Sequence, residues 1–297
     1  MTIFFVQDFF HGDYSPEYGR KIVGGAEAHD KVLIEALKRK FNVLCVRSKD
    51  LTHSLVKEHR DKVWFLSNFG CVDPAVRMKF IEYGVKYFIY EHDHKYVIGR
   101  NPIVFPNFIA PPQYVDNKEF LCGARTVYVN TDLSRTLMMK NLRVGPREIN
   151  IFNVQGNFFD DETFNRIEEL NASNIQRKTK GFILRSNQQA KSHEPSVNFC
   201  NERLIEYDLL DQCDYDEILI RLRSYSFIVY FTHCVDTFCR LIAEANMLNC
   251  RVITDPTNMG IYSERAVVKL RGSQMIDYLR TRRDDVIEHM IQEIEGV

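Results

Sequence analysis

The 297-residue chain carries almost no net charge: 39 Lys and Arg stand against 40 Asp and Glu, a balance of −1. That excludes both a strongly basic nucleic-acid coat and an acidic solvating protein, while leaving room for local patches. There is no CxxC pair among the eight cysteines, Cys45, Cys71, Cys122, Cys200, Cys213, Cys234, Cys239 and Cys250. Most sit in apolar runs such as NVLCV and read as small core residues, so a zinc site is not expected from them. No apolar run approaches the roughly 18 residues that cross a bilayer, and Met1 leads straight into a strand-like stretch without a charged-then-apolar leader. Free thiols without an export signal give the expectation of a reducing cytoplasm. Repeats and low-complexity segments are absent, and 45% apolar with 27% charged residues is ordinary for a globular protein. With about 100 to 200 residues per domain, the length predicts two domains.

Short apolar runs alternate with helix-period segments along the first half. Thr2–Gln7, Asn42–Val46, Val63–Ser67, Tyr87–Tyr90 and Thr126–Asn130 read as buried strands. Helices are predicted over 26–39, 51–59, 73–83 and 134–142, the last capped by Ser134. This is the βαβ pattern of a parallel sheet covered on both faces. Periodicity weakens after Val144, which places a linker at 144–158. Strands resume at Gly181–Leu184, Ser226–Phe231 and Val252–Thr254, with helices over 237–248 and 274–295. The predicted domains are 1–150, 151–272, and a C-terminal helix over 273–297 that packs back toward the first.

Charge divides the halves: residues 1–150 hold 22 Lys and Arg against 17 Asp and Glu (+5), and residues 151–297 hold 17 against 23 (−6). The first excess lies between Lys31 and Lys62, including Lys38, Arg39 and Lys40, where nine basic residues face four acidic ones. It reads either as a solvated helix face or as a patch for an anionic partner.

Four segments carry possible chemistry. Gly24 and Gly25 precede a helix, where a close backbone approach and unpaired N–H groups suit a phosphate or serve only the turn. Glu91-His92-Asp93-His94 ends the fourth strand, at the carboxyl edge where open α/β sheets bind ligands. A substrate-contacting His or acid is expected there rather than a metal, since His92 and His94 alternate faces if extended. Arg185 and Lys191 leave a second-half strand and suit a diphosphate. Asp236 and Glu244 stand eight residues apart, about 12 Å along a helix, and would touch different parts of one elongated ligand.

Taken together, GGAE after the first strand, the Arg185/Lys191 pair and the D-x7-E helix followed by CRVITDPTNMG resemble the retaining glycosyltransferases of the GT-B fold that use nucleotide sugars. The EHDHKY segment with Arg100-Asn-Pro looks like versions carried by bacterial viruses. The resemblance implies two Rossmann-like domains facing each other across a cleft, the second compact through loss of peripheral elements between Arg185 and Asp214. It implies that Glu244 holds the donor ribose, and that Arg185, Lys191, Gly24 and Gly25 meet the diphosphate. His92, His94 or Asp93 would lie near the sugar, with Asp236 in place of the family's first Glu. The donor would be a nucleotide sugar, UDP-linked, with no metal or further cofactor required. The basic Lys31–Lys62 region turns the acceptor expectation toward a hydroxymethylated base in double-stranded phage DNA, through Lys38, Arg39 and Lys40; a glycan or protein is the alternative. A nucleotide-dependent epimerase or dehydrogenase competes, although its GxGxxG fingerprint is missing. A non-catalytic sugar- or nucleic-acid-binding module on the same fold is the reading from another class.

Overall fold

The computed structural model describes residues 1–15, 20–21, 24–186 and 188–297, and the chain divides into two compact units, Met1–Phe159 with Thr281–Val297, and Asp160–Arg280.

The first unit opens with β1 (Thr2–Gln7), followed by a short antiparallel pair, β2 (Tyr14–Ser15) and β3 (Arg20–Lys21). After α1 (Gly25–Lys38) come β4 (Asn42–Arg47), α2 (His53–Glu58), β5 (Val63–Asn68), α3 (Pro74–Glu82) and β6 (Lys86–Glu91). Then follow α4 (Lys118–Cys122), β7 (Val127–Val129), α5 (Asp132–Leu142) and β8 (Ile151–Asn153). The six long strands form one parallel sheet in the order β4-β1-β5-β6-β7-β8.

The central strands of this sheet are covered on both faces, which is why TIFFVQ and VWFLSN are nearly unbroken apolar runs. Strand β4, expected to be buried, is instead an edge strand with Asn42, Leu44, Cys45 and Arg47 exposed, so Cys45 is not a core residue. Phe4, Trp64 and Tyr87 look to one side; Phe4 stacks on Trp64 at 4.3 Å, and Trp64 meets Phe80 of α3 at 5.4 Å. Phe5, Phe65, Phe88 and Tyr128 look to the other, where they pack with Leu33, Ile34 and Leu37 of α1. The same core takes Val286, Ile287, Met290, Ile291 and Ile294 from the end of the C-terminal helix. Those five recur at helical spacing and form one stripe.

The second unit contains α6 (Asp161–Ala172), β9 (Lys178–Leu184), α7 (Glu194–Glu202), β10 (Tyr207–Leu210), α8 (Tyr215–Ser224), β11 (Tyr225–Val229), α9 (Arg240–Met247) and β12 (Arg251–Ile253). The final helix, α10 (Gly272–Glu295), begins here. The four strands are parallel in the order β10-β9-β11-β12. Gly181 is required in β9 because any Cβ there would enter the Phe227 ring.

Several sequence expectations need correction. The linker at 144–158 contains β8, which joins the first sheet and so carries it past residue 150; three half-buried residues ending in Asn offer no periodicity to detect. Helix α5 starts earlier than Ser134, because the Thr131 hydroxyl accepts the Ser134 N–H and caps the helix there. Between Arg185 and Asp214, where the resemblance implies lost peripheral elements, the unit carries α7 and β10. The helix expected from 237 begins at Arg240, since Cys239 takes a left-handed φ of 65°.

Candidate functional site

In each sheet the chain leaves a central strand, builds its neighbour on one side, and returns on the other. The reversal falls between β1 and β5 in the first sheet and between β9 and β11 in the second. Open α/β sheets bind ligands at the carboxyl edge beside such reversals.

At the first reversal Asp8 follows β1 directly and is buried. Its Oδ2 accepts the Gly70 N–H at 3.1 Å, and its Oδ1 accepts the Cys71 N–H at 2.9 Å and the Ser48 hydroxyl. One carboxylate thus ties together the ends of β1, β4 and β5. Beside it Glu91 ends β6, with Oε1 accepting the Asp93 N–H at 2.9 Å and the Lys95 N–H at 3.2 Å. The buried Lys95 ammonium donates to Asp93 and lies 3.4 Å from Glu91. Burial works to raise the Asp93 carboxyl, but the charge and hydrogen bond of Lys95 prevail and hold it well below the usual range. Arg100 reaches the other Asp93 oxygen at 3.4 Å.

The two histidines at this edge are both buried. His92 Nε2 lies 3.0 Å from Asp30 Oδ1 and 2.9 Å from Ser67 Oγ, while His94 Nδ1 meets the Tyr96 hydroxyl at 2.7 Å. His29, Asp30 and His92 bring ligand-type atoms within 4.8 Å of one another. However, the Phe158 N–H donates to His29 Nδ1 at 3.1 Å. That takes the Nδ1 lone pair and leaves the neutral ring's proton on Nε2, so the trio suits a hydrogen-bonded support for His92 better than a metal.

Gly24 is the N-cap of α1, and both Gly24 and Gly25 are exposed; Ile22 and Val23 of the same loop lie outside the described residues. The Glu27 carboxylate folds back to where a Gly24 side chain would stand. Burial raises its pKa, and it occupies the position over the helix N-terminus that a phosphate would take. Lys38 ends α1, and Arg39 and Lys40 lie between it and the start of β4, at the amino-terminal edge of the sheet. The six residues of β4 separate them from the carboxyl edge, about 20 Å at 3.3 Å per residue.

At the second reversal Lys191 Nζ stands 3.1 Å from Asp236 Oδ2. Asp236 Oδ1 accepts the N–H groups of Phe238 at 3.1 Å and Cys239 at 2.6 Å. Burial works to raise the Asp236 carboxyl, but Lys191 and these donors lower it overall; Asp236 in turn pushes the Lys191 ammonium well up. Arg185 does not join this pair. It turns to Asp211, beyond the end of β10, at 2.9 Å, so the two cations go to opposite sides of β9.

Glu244 lies in the middle of α9, buried, and accepts a 2.7 Å hydrogen bond from the Tyr215 hydroxyl. Arg240, one turn before it, is 3.7 Å away. Burial raises its carboxyl in spite of both partners. Tyr215, Arg240, Asp8, Gly70 and Lys95 were not singled out in the sequence. Only Arg240 offered a local signal, as the i−4 cation of Glu244.

No protein-family model matches the chain, and no curated protein sequence matches it. Solved structures do. A trehalose-6-phosphate synthase studied with bisubstrate glycomimetics aligns over 99% of both chains with a TM-score of 0.59 at 9% identity. AviGT4, a glycosyltransferase involved in avilamycin A biosynthesis, aligns over 99% of this chain and 97% of its own, with a TM-score of 0.53 at 10% identity. HepE of Anabaena, in complex with UDP and glucose, aligns over 100% of both with a TM-score of 0.50 at 13% identity. The chain has the fold of these enzymes. At such identities the likeness is one of fold, and the chemistry has to be argued from the residues. Among the described residues no helix is long and apolar enough to cross a membrane.

Proposed function

We propose that the chain is a retaining glycosyltransferase that moves a sugar from a nucleotide diphosphate, UDP-linked, to an acceptor hydroxyl. The observation that carries this reading is the constellation in the second unit: Lys191 paired with Asp236 at the strand reversal, and a buried Glu244 in the helix that follows. HepE, which shares the fold, is a complex with UDP and glucose.

In this reading Lys191 neutralises the donor diphosphate, and its effect grows as the sugar bond breaks and charge collects on the leaving oxygen. Glu244, oriented by Tyr215 and Arg240, accepts the ribose hydroxyls. Asp236, kept ionised by Lys191, faces the transferred sugar. Arg185 adds a mobile cation at the rim if it leaves Asp211. No carboxylate is assigned as a nucleophile: the leaving diphosphate takes the acceptor proton at the face from which it departs. His92 and Asp93 stand on the acceptor side, at the carboxyl edge of the first sheet, while His94 supports their loop through Tyr96. No metal is invoked in any step.

Duplex DNA is not the acceptor this reading favours. Lys38, Arg39 and Lys40 stand at the edge opposite Asp8 and Asp93. The non-catalytic reading has one feature in its favour, the Asp at 236. Calorimetry with UDP and measurement of UDP release from UDP-glucose decide between the two. Binding with turnover is expected; binding without turnover under any acceptor supports the module, and a folded protein that binds no nucleoside diphosphate rejects both.

A further inference from the structure

Arg100 has an unusual seat. It follows Gly99, and both residues take positive φ, 81° and 54°. A left-handed conformation is unfavourable for an Arg, and here it brings the guanidinium back over the sheet edge onto Gly70. Any Cβ on Gly70 would collide with that guanidinium and stand 2.9 Å from Asp8 Oδ2. Gly70 follows β5 and Asp8 follows β1, so Arg100 lies over the strand reversal itself. Its side chain is 42% exposed and that of its partner Asp93 41%. The other members are buried and committed: Asp8 to two backbone N–H groups and Ser48, Lys95 to Glu91 and Asp93.

Counting Asp8, Glu91 and Asp93 against Lys95 and Arg100 gives three negative charges to two positive, a local balance of −1. Arg77, whose charge also bears on Arg100, is answered by Asp116 at 4.0 Å. A phosphate ester brought to Arg100 would meet Asp93 and Asp8 as well. A neutral polyol meets complementary partners instead: the guanidinium fork donates to two hydroxyl oxygens and Asp93 accepts a hydrogen bond from a hydroxyl.

We infer that Arg100 and Asp93 form the acceptor-recognition pair, and that the pair selects an uncharged, hydroxyl-rich saccharide over a phosphorylated one. Naming this ligand an acceptor rests on the transferase reading; the site itself does not. Saturation-transfer NMR on the full chain at low salt, with methyl α-glucoside, maltose, glucose 6-phosphate and inorganic phosphate as probes, tests it. The wild type should take a neutral glycoside in preference to the phosphates. Arg100→Ala should weaken that binding at least tenfold, with a thermal melt confirming the fold. Asp93→Asn should raise the affinity for glucose 6-phosphate at least threefold, a gain that no general damage produces. Preference for the phosphate ester, no glycoside binding in the wild type, or Arg100→Ala without effect would each overturn the inference. Glycoside binding through Arg100 in a protein that never turns over UDP-glucose would keep this site and remove the transferase; turnover with no dependence on Arg100 would do the reverse.

Discussion

Lys191 and Asp236, 45 residues apart in sequence, meet at 3.1 Å beside the point where the second sheet reverses its strand order. The Asp236 side chain is nearly enclosed, at 12% exposure, while the Lys191 side chain is 46% exposed. The pair therefore holds Asp236 in its charged form while leaving Lys191 accessible to a second anion.

Removing Lys191 leaves Asp236 with two backbone donors and no cation. Lys191→Ala is expected to cost about 1 kcal/mol of stability, the half-exposed lysine side chain being partly screened. Because the Asp236 carboxyl is lowered in the fold, its contribution is complete above the ordinary value of about 3.9 and lost as pH falls through the folded value. Urea melts from pH 7 downward should show this loss in the wild type and a flatter profile in Asp236→Asn; identical profiles would contradict it.

Glu244 has the opposite sign. Its carboxyl is raised by burial, so the fold binds the proton more tightly than the unfolded chain does. Stability falls as pH rises from about 4.3 through the folded value. Glu244→Gln should be at least as stable as the wild type at pH 8, yet bind UDP ten- to a hundredfold more weakly, a loss of about 1.5 to 3 kcal/mol for a charge-assisted pair of bonds. Calorimetry and melts on the same sample separate the two effects.

Gly70 does not need a special backbone angle; it needs an absent side chain. Gly70→Ala should displace Arg100 and cost about 1 to 3 kcal/mol, while the double variant with Arg100→Ala should recover much of the loss because the collision partner is gone. Additive losses in a double-mutant cycle would show that Gly70 matters for another reason.

Neutralising Lys38, Arg39 and Lys40 together should leave transfer to a saccharide acceptor within twofold of the wild type between low and high salt, since these residues occupy the far edge of the sheet. A salt-dependent loss in the triple variant would return the basic region to the active site.

What could be read in advance follows from where information is local. Strands buried on both faces, such as Thr2–Gln7 and Val63–Asn68, declare themselves as apolar runs. The edge strand Tyr207–Leu210 is half-buried throughout and contains an Asp, so it looks like a loop. At the sites, Asp236 and Glu244 are visible as residues, but the start of the helix between them is not, because the left-handed turn at Cys239 has no local signature. Asp8 carries no signal in the sequence, and Arg100 enters only as part of a resemblance, for a different reason: their meaning lies in Gly70, 62 positions from one and 30 from the other, and only the strand order brings the three together.

The last stretch of α10 gives the first unit a particular relation to synthesis. Its core is finished by residues 286–294, which leave the ribosome after the whole second unit. Until they are made, Phe5, Phe65 and Phe88 lack part of their cover. A chain stopped near residue 280 would therefore leave the apolar face of the first sheet open on that side, an adhesive surface in an otherwise finished sequence.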